Sequence, residues 1–204
     1  MKKWGLCAAV TLLSFLPAAA QERATTESGR KILVFPDGTW TNDTKIALKA
    51  IEQGVFSKPK LATEKIRFLH DKTAIYFDPA IWKPVKQEEP SRLQLQHKDG
   101  DGYALVVSER MQISLESLKG IALMNAKNAA PDARITREEK RLVNGVETLF
   151  LQINGTIKGI SFQYFGYYYA GKEGCMQILT YTSENLFDEF KKDFTDFLNG
   201  FVLE

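Results

Sequence analysis

Two histidines, His70 and His97, are the residues best suited to acid, base or metal chemistry in this chain of 204 residues, because only an imidazole titrates near neutrality without help. Neither stands in a spaced ligand motif such as H-E-x-x-H. His97 opens the run His97-Lys98-Asp99-Gly100-Asp101-Gly102, so His97, Asp99 and Asp101 are the one group that could converge on a metal ion or on a hydrolase-like site. Their spacing favours a turn, because Asp-Gly pairs suit tight-turn geometry. A calcium loop would need an oxygen ligand where Tyr103 stands and a glutamate where Arg110 stands. No nucleophile is framed either: the sequence has no G-x-S-x-G elbow, no phosphate-cradling G-x-x-x-x-G-K-[ST] and no redox pair of cysteines. Glu88-Glu89 is a paired carboxylate, and Glu138-Glu139 lies beside Arg137, Lys140 and Arg141, the pattern of a solvated strand or loop. No cofactor or metal is expected, and any catalytic pair would have to be assembled from positions distant in sequence.

The strongest binding character lies in a run of rings. Phe162, Tyr164 and Tyr168 fall on one strand parity, and Phe165, Tyr167 and Tyr169 on the other. Rings on both faces fit a strand covered on both sides. Tyrosines whose hydroxyl ends stay wet are also typical of binding surfaces. Tyr164, Tyr167, Tyr168 and Tyr169, with Trp82, are therefore the candidate residues for a protein partner or a small amphiphilic ligand.

These residues follow a leader. Lys2 and Lys3 precede the apolar stretch Leu6 to Leu16, and Pro17-Ala18-Ala19-Ala20 precedes polar Gln21, the pattern of a signal peptide cleaved near Ala20-Gln21. The apolar run is shorter than the roughly 20 residues that cross a bilayer, and Cys7 is misplaced for lipid attachment. The expectation is an exported chain, periplasmic or extracellular, with no transmembrane segment after cleavage. Residues 1–20 carry Lys2 and Lys3 as their only charges, so cleavage takes the formal charge from +2 to zero. That leaves no electrostatic case for nucleic acid. Cys175 is then the lone cysteine, expected as a small apolar residue on a strand rather than a disulfide partner.

The remainder reads as an extension, residues 21–60, followed by a domain, residues 61–204. In the extension Arg30 to Phe35 is a strand, Pro36-Asp37-Gly38 a turn and Trp40 the start of a return strand. In the domain, Lys65 to Leu69 and Thr73 to Phe77 are short strands, and Leu93 to Gln96 turns through Asp99-Gly100-Asp101-Gly102 into Tyr103 to Val107. Ser114 caps a helix whose Leu115, Leu118, Ala122, Ala126 and Ala129 share one stripe. A four-strand meander follows, with turns expected at Asn144-Gly145, Asn154-Gly155 and the segment from Gly171 to Gly174. Ser183 is expected to cap a closing helix that carries Phe187, Phe190, Phe194, Phe197 and Phe201. Such a stripe must dock on the sheet. The fold class is α+β, an antiparallel sheet flanked by helices with an N-terminal hairpin.

From about residue 72 onward the order and spacing resemble the PsbP-like superfamily, which includes the extrinsic photosystem subunit and the Ran-binding Mog-type proteins. The resemblance is carried by Ile75-Tyr76-Phe77-Asp78-Pro79 with Ile81-Trp82, Leu105-Val106-Val107-Ser108 and the helix from Leu115 to Ala129. Arg141-Leu142-Val143-Asn144-Gly145-Val146-Glu147, the strand Phe162 to Tyr169 and the ending Leu198-Asn199-Gly200-Phe201 continue it. It implies an α-β-α sandwich. Separately, the segment from Ala24 to Trp40 looks like a short hairpin found at the start of many exported bacterial proteins. Together the readings point to a non-enzymatic binding or accessory protein; the alternatives are a hydrolase-like envelope enzyme around His97, Asp99 and Asp101, and a structural envelope protein.

Overall fold

A computed structural model gives the structure, which describes residues 22–25, 31–34, 40–42, 55–68, 72–85 and 91–204. The leader, His70 and Glu88-Glu89 lie outside the described residues. The chain divides into two compact units at Asp43. In the first, β1 (Glu22–Thr25), β2 (Lys31–Val34) and β3 (Trp40–Asn42) form an antiparallel sheet in that order. β2 and β3 are the expected hairpin, with Val34 opposite Trp40, and β1 is an addition the sequence did not announce.

The second unit holds β4 (Val55–Phe56), β5 (Glu64–Phe68), β6 (Thr73–Phe77), β7 (Trp82–Pro84), β8 (Arg92–His97) and β9 (Tyr103–Glu109). Helix α1 (Leu115–Ala129) leads into β10 (Arg134–Val143), β11 (Val146–Ile157), β12 (Ile160–Gly171) and β13 (Gly174–Ser183), and α2 (Phe187–Leu198) into β14 (Phe201–Leu203). Eight strands form the main sheet in the order β4-β10-β11-β12-β13-β9-β8-β7, and β14-β6-β5 form a small antiparallel one. Every pair in the main sheet is antiparallel except β4 with β10. Val55–Phe56 thus adds a parallel edge strand from a stretch that reads as linker.

Local chemistry explains the meander. Asn144 and Gly145 have φ of 48° and 79°, and Lys158 and Gly159 have 51° and 82°, the paired positive angles of two-residue hairpin turns. The second turn therefore falls at Lys158-Gly159, not at Asn154-Gly155. Gly155 stays inside β11 for a different reason. A Cβ there would lie 2.9 Å from the Ala130 Cβ and 3.2 Å from the Ala133 Cα, so glycine lets the segment after α1 cross close over the strand.

Each helix covers one sheet face. Ser114 caps α1 by accepting from the Ser117 amide at 3.0 Å, and Leu118 and Ala122 pack on Leu149, Leu151, Ile153 and Tyr168. Cys175, 1% exposed, belongs to this core, and burial pushes its thiol pKa up. On the opposite face Phe187, Phe190, Phe194 and Phe197 join Val106, Phe150, Phe165, Tyr167 and Ile178. Two expectations for α2 are corrected. Ser183 precedes a 3-10 turn, Glu184–Leu186, and makes no side-chain cap bond. Phe201 lies beyond the helix, in β14 opposite Ile75. Asn199-Gly200 breaks the helix because the chain must pass close to β6: a Cβ on Gly200 would sit 1.8 Å from the Tyr76 carbonyl oxygen. Gly200→Ala is accordingly expected to destabilise by about 1–3 kcal/mol through overpacking. Urea unfolding with an unchanged m-value measures it.

A buried polar chain ties the meander to the α2–β14 junction. The Arg141 guanidinium donates to the Tyr167 hydroxyl at 3.2 Å, which donates to Asn199 Oδ1 at 2.9 Å. Asn144 Nδ2 donates to the carbonyls of Asn199 and Phe201 at 2.8 and 2.6 Å, and its Oδ1 accepts from the Lys58 amide at 2.7 Å. The turn residue thereby also fixes the helix end and the segment after β4.

Candidate functional site

His97 stands at the end of β8, 3% exposed. Trp82 and Phe190 meet its ring edge-to-face at centroid distances of 5.3 and 4.8 Å. The Asp99 amide donates to Nδ1 at 3.2 Å, which makes Nδ1 an acceptor and leaves Nε2–H to donate to Asp193 Oδ2 at 3.0 Å. Both ring nitrogens are thus spent inside the protein. The imidazole pins the β8–β9 turn to α2 and has no free nitrogen for a substrate. A pocket of about 350 Å³ lies alongside, lined by Asp78, Trp82, Asp193 and Asp196 among others, but His97 does not line it. Asp101 is exposed, and its carbonyl accepts from the Thr182 hydroxyl at 2.7 Å. Among the described residues no three His, Cys, Asp or Glu side chains are placed to hold a metal. His97 is thus engaged within the protein, while the Asp99 and Asp101 side chains stand exposed on the turn.

The aromatic strand divides as its parity demands. Tyr167, 0% exposed, belongs to the α2 side and Tyr168, 2% exposed, to the α1 side. Burial pushes both phenol pKa values up. Trp82, also 2% exposed, is wedged against Phe194 and Phe197. Tyr167 and Tyr168 are core residues, because helices cover the sheet where they stand; Trp82 is buried too but also lines the pocket beside His97. Tyr169 is half-buried against Phe201, with ring centroids 5.3 Å apart. Tyr164 lies at the margin of the α1 core.

Tyr164 has two neighbours that β12 alone does not reveal. The strand register sets Tyr164 opposite Tyr181, and Tyr181 opposite Tyr103. The rings of Tyr103 and Tyr181 stack at 5.3 Å and 20°, and Tyr181 and Tyr164 approach at 5.3 Å and 32°. Leu105 and Leu179 form the next register pair, and Val107 and Gln177 the one after. Tyr103, Leu105, Val107, Leu179 and Tyr181 are all half-buried. Among the described residues α1 packs over β10, β11 and β12, and no helix covers this face of β13, β9 and β8. Stacked side by side, the rings spend their faces on one another and present edges and hydroxyls. Burial first, then the neighbouring phenols Tyr164 and Tyr103, push the Tyr181 pKa up. Burial does the same for Tyr164. Both hydroxyls therefore stay neutral hydrogen-bonding groups at physiological pH.

The architecture is a PsbP/Mog-like fold. It is similar to the solution structure of cyanobacterial PsbP (CyanoP) from Synechocystis sp. PCC 6803, with a TM-score of 0.53 at 11% identity over 72% of this chain and 95% of that one. It is also similar to the Saccharomyces cerevisiae Ran-binding protein Mog1p, with a TM-score of 0.50 at 8% identity over 69% of this chain and 94% of that one. No protein-family model and no curated protein matches the sequence. At these identities the likeness defines the fold, and function rests on the chain's own surface.

Proposed function

We propose that this chain is an exported, non-enzymatic binding or accessory module whose protein partner docks on the open sheet face carrying Tyr103, Tyr181 and Tyr164. The observation that carries the reading is the tyrosine ladder itself: three register-aligned rings on a half-buried face that α1 leaves open. Tyrosines with packed bodies and wet hydroxyls supply contact area at low conformational cost and are enriched at interfaces. A row spread over three strands suits an extended partner surface better than a small amphiphile. Export is supported by the leader pattern of residues 1–20. Among the described residues no helix is long and apolar enough to cross a membrane. The alternative of an enzyme centred on His97 has little support, since that imidazole is engaged at both nitrogens.

The test is a double variant, Tyr103→Ala with Tyr181→Ala. Cross-strand pairs contribute only about 0.2–1 kcal/mol each, so the fold is expected to survive with a small drop in melting temperature. Partner affinity, measured on whatever protein the unaltered chain retains from an envelope extract, is expected to fall at least about tenfold, the scale of interface anchors. Undiminished affinity in a folded double variant would remove the ladder from the interface.

A further inference from the structure

The sheet face opposite the tyrosine ladder changes character where α2 begins. Under the helix, the core parity of β11 and β12 carries Phe150, Phe165 and Tyr167. Past Phe187, whose ring meets Phe165 edge-to-face at 4.5 Å, the same parity carries Gln152, opposite Phe165, and Asn154, opposite Gln163. These amides form a row. The Thr136 hydroxyl donates to Asn154 Oδ1 at 2.9 Å, Gln152 Nε2 approaches the same oxygen at 3.5 Å, and Asn154 Nδ2 approaches Gln163 Oε1 at 3.5 Å. Gln163 is only 9% exposed, yet Asn154 meets one end of its terminal amide. The other end, Nε2, has no partner among the described residues. A largely buried amide with an unspent donor is costly unless something completes it. Gln163 lines a pocket of about 290 Å³, at the small end of the range for ligand clefts. Asp188 and Lys191 of α2, Glu184 of the turn before it and Arg137 of β10 stand around the same space. Arg137 already bonds Glu139 through Nε, whereas the side chains of Glu184, Asp188 and Lys191 are engaged by none of the described residues.

We infer that this pocket binds a neutral monosaccharide, whose hydroxyls accept from Gln163 Nε2 and donate to the carboxylates at the start of α2. The chemistry of the lining selects that class. An anion entering the pocket meets Glu184 and Asp188, and a cation meets Arg137 and Lys191, so neither sign is favoured. A hydroxyl both donates and accepts, and neighbouring hydroxyls on one ring can serve an amide and a carboxylate at once. The row from Thr136 through Asn154 holds the Gln163 amide in place, so little freedom is lost on binding.

The probes are D-glucose, D-galactose, D-mannose and N-acetyl-D-glucosamine, each added to nitrogen-15-labelled full-length protein up to about 50 mM, well above a millimolar Kd. At least one is expected to shift the side-chain amide signal of Gln163 saturably, together with the backbone amides of Gln152 and Asp188. Gln163→Leu removes the donor at similar size and is expected to weaken that sugar at least about tenfold. Asp188→Asn changes an exposed side chain in the first turn of α2, so it keeps the test open even if Gln163→Leu does not fold; it is expected to weaken the sugar at least about threefold. No saturable shift with any of these sugars, or unchanged affinity in either folded variant, would overturn the inference. Shifts centred on Tyr103 and Tyr181 would overturn it as well, by placing the sugar on the tyrosine face. So would an equal shift of the Gln163 signal with sodium acetate or inorganic phosphate, which would make the pocket an oxyanion site of Arg137 and Lys191.

Discussion

Replacing Arg141 with alanine is expected to destabilise the protein by about 3 kcal/mol, at the lower end of the range for breaking a buried ion pair. The guanidinium, in a residue only 7% exposed, donates to Glu139 Oε2 through Nε at 2.9 Å and Nη2 at 2.7 Å. It also stands 3.7 Å from the Phe150 ring centroid and 4.6 Å from that of Phe56, so its loss removes cation–π contacts and packing together with charge. Two groups are stranded: the half-buried Glu139 carboxylate, left with Arg137 alone, and the Tyr167 hydroxyl, left with Asn199. Glu139→Gln in the Arg141→Ala background is expected to recover part of the loss by removing the uncompensated charge. The pH dependence has a definite sign. Burial raises the Glu139 pKa, but Arg141 and then Arg137 outweigh it and bring it below the ordinary value. A depressed folded-state pKa gives stability that is fully present above the ordinary carboxylate range and is lost as pH falls through the folded value. Urea midpoints between pH 3 and 7 should therefore fall less on acidification in the Arg141 variant than in the unaltered chain.

What the sequence discloses and what it hides follow from the range of each signal. Ser114 and Asn144-Gly145 act over three or four residues, and both do in the structure what their types require. Asn154-Gly155 is the same dipeptide with another cause: Gly155 is there because Ala130 and Ala133 press on it, a contact between segments far apart in sequence. Phe201 fits the helical spacing of the phenylalanine stripe, yet it reaches the same core from a strand, since a three- or four-residue interval says only that a side chain points inward. The candidate site shows the limit most clearly. Parity within β12 separates Tyr164 and Tyr168 from Tyr167 and Tyr169, but it cannot say which rings a helix covers. Tyr103 and Tyr181 give no signal alone, because the ladder exists only through the register of β9, β13 and β12. His97 misleads in the reverse direction: its neighbours Asp99 and Asp101 invite a metal, while its working partner, Asp193, is almost a hundred residues away on α2.

Phe194→Ala is expected to be the most destabilising of the changes considered, at about 3–5 kcal/mol, the range for emptying a fully buried phenylalanine site. Phe194 is 0% exposed and is the residue through which the ring cluster of α2 connects: Trp82 lies at 6.1 Å, Phe187 at 6.0 Å and Phe190 at 5.7 Å, centroid to centroid. Removing it leaves a void that cannot collapse from the sheet side, where the strands are fixed by their ladders. The helix side can yield only by moving α2, which also carries Asp193 and hence the hold on His97. Phe194→Leu keeps most of the volume and should cost well under half as much. This second variant separates stability from binding. Phe194 packs on the α2 face of the sheet and the tyrosine ladder lies on the other, so Phe194→Leu should keep full partner affinity under conditions where it is folded. A folded Phe194→Leu protein that loses its partner would show that recognition depends on the α2 face, and the open tyrosine face would then not be the interface.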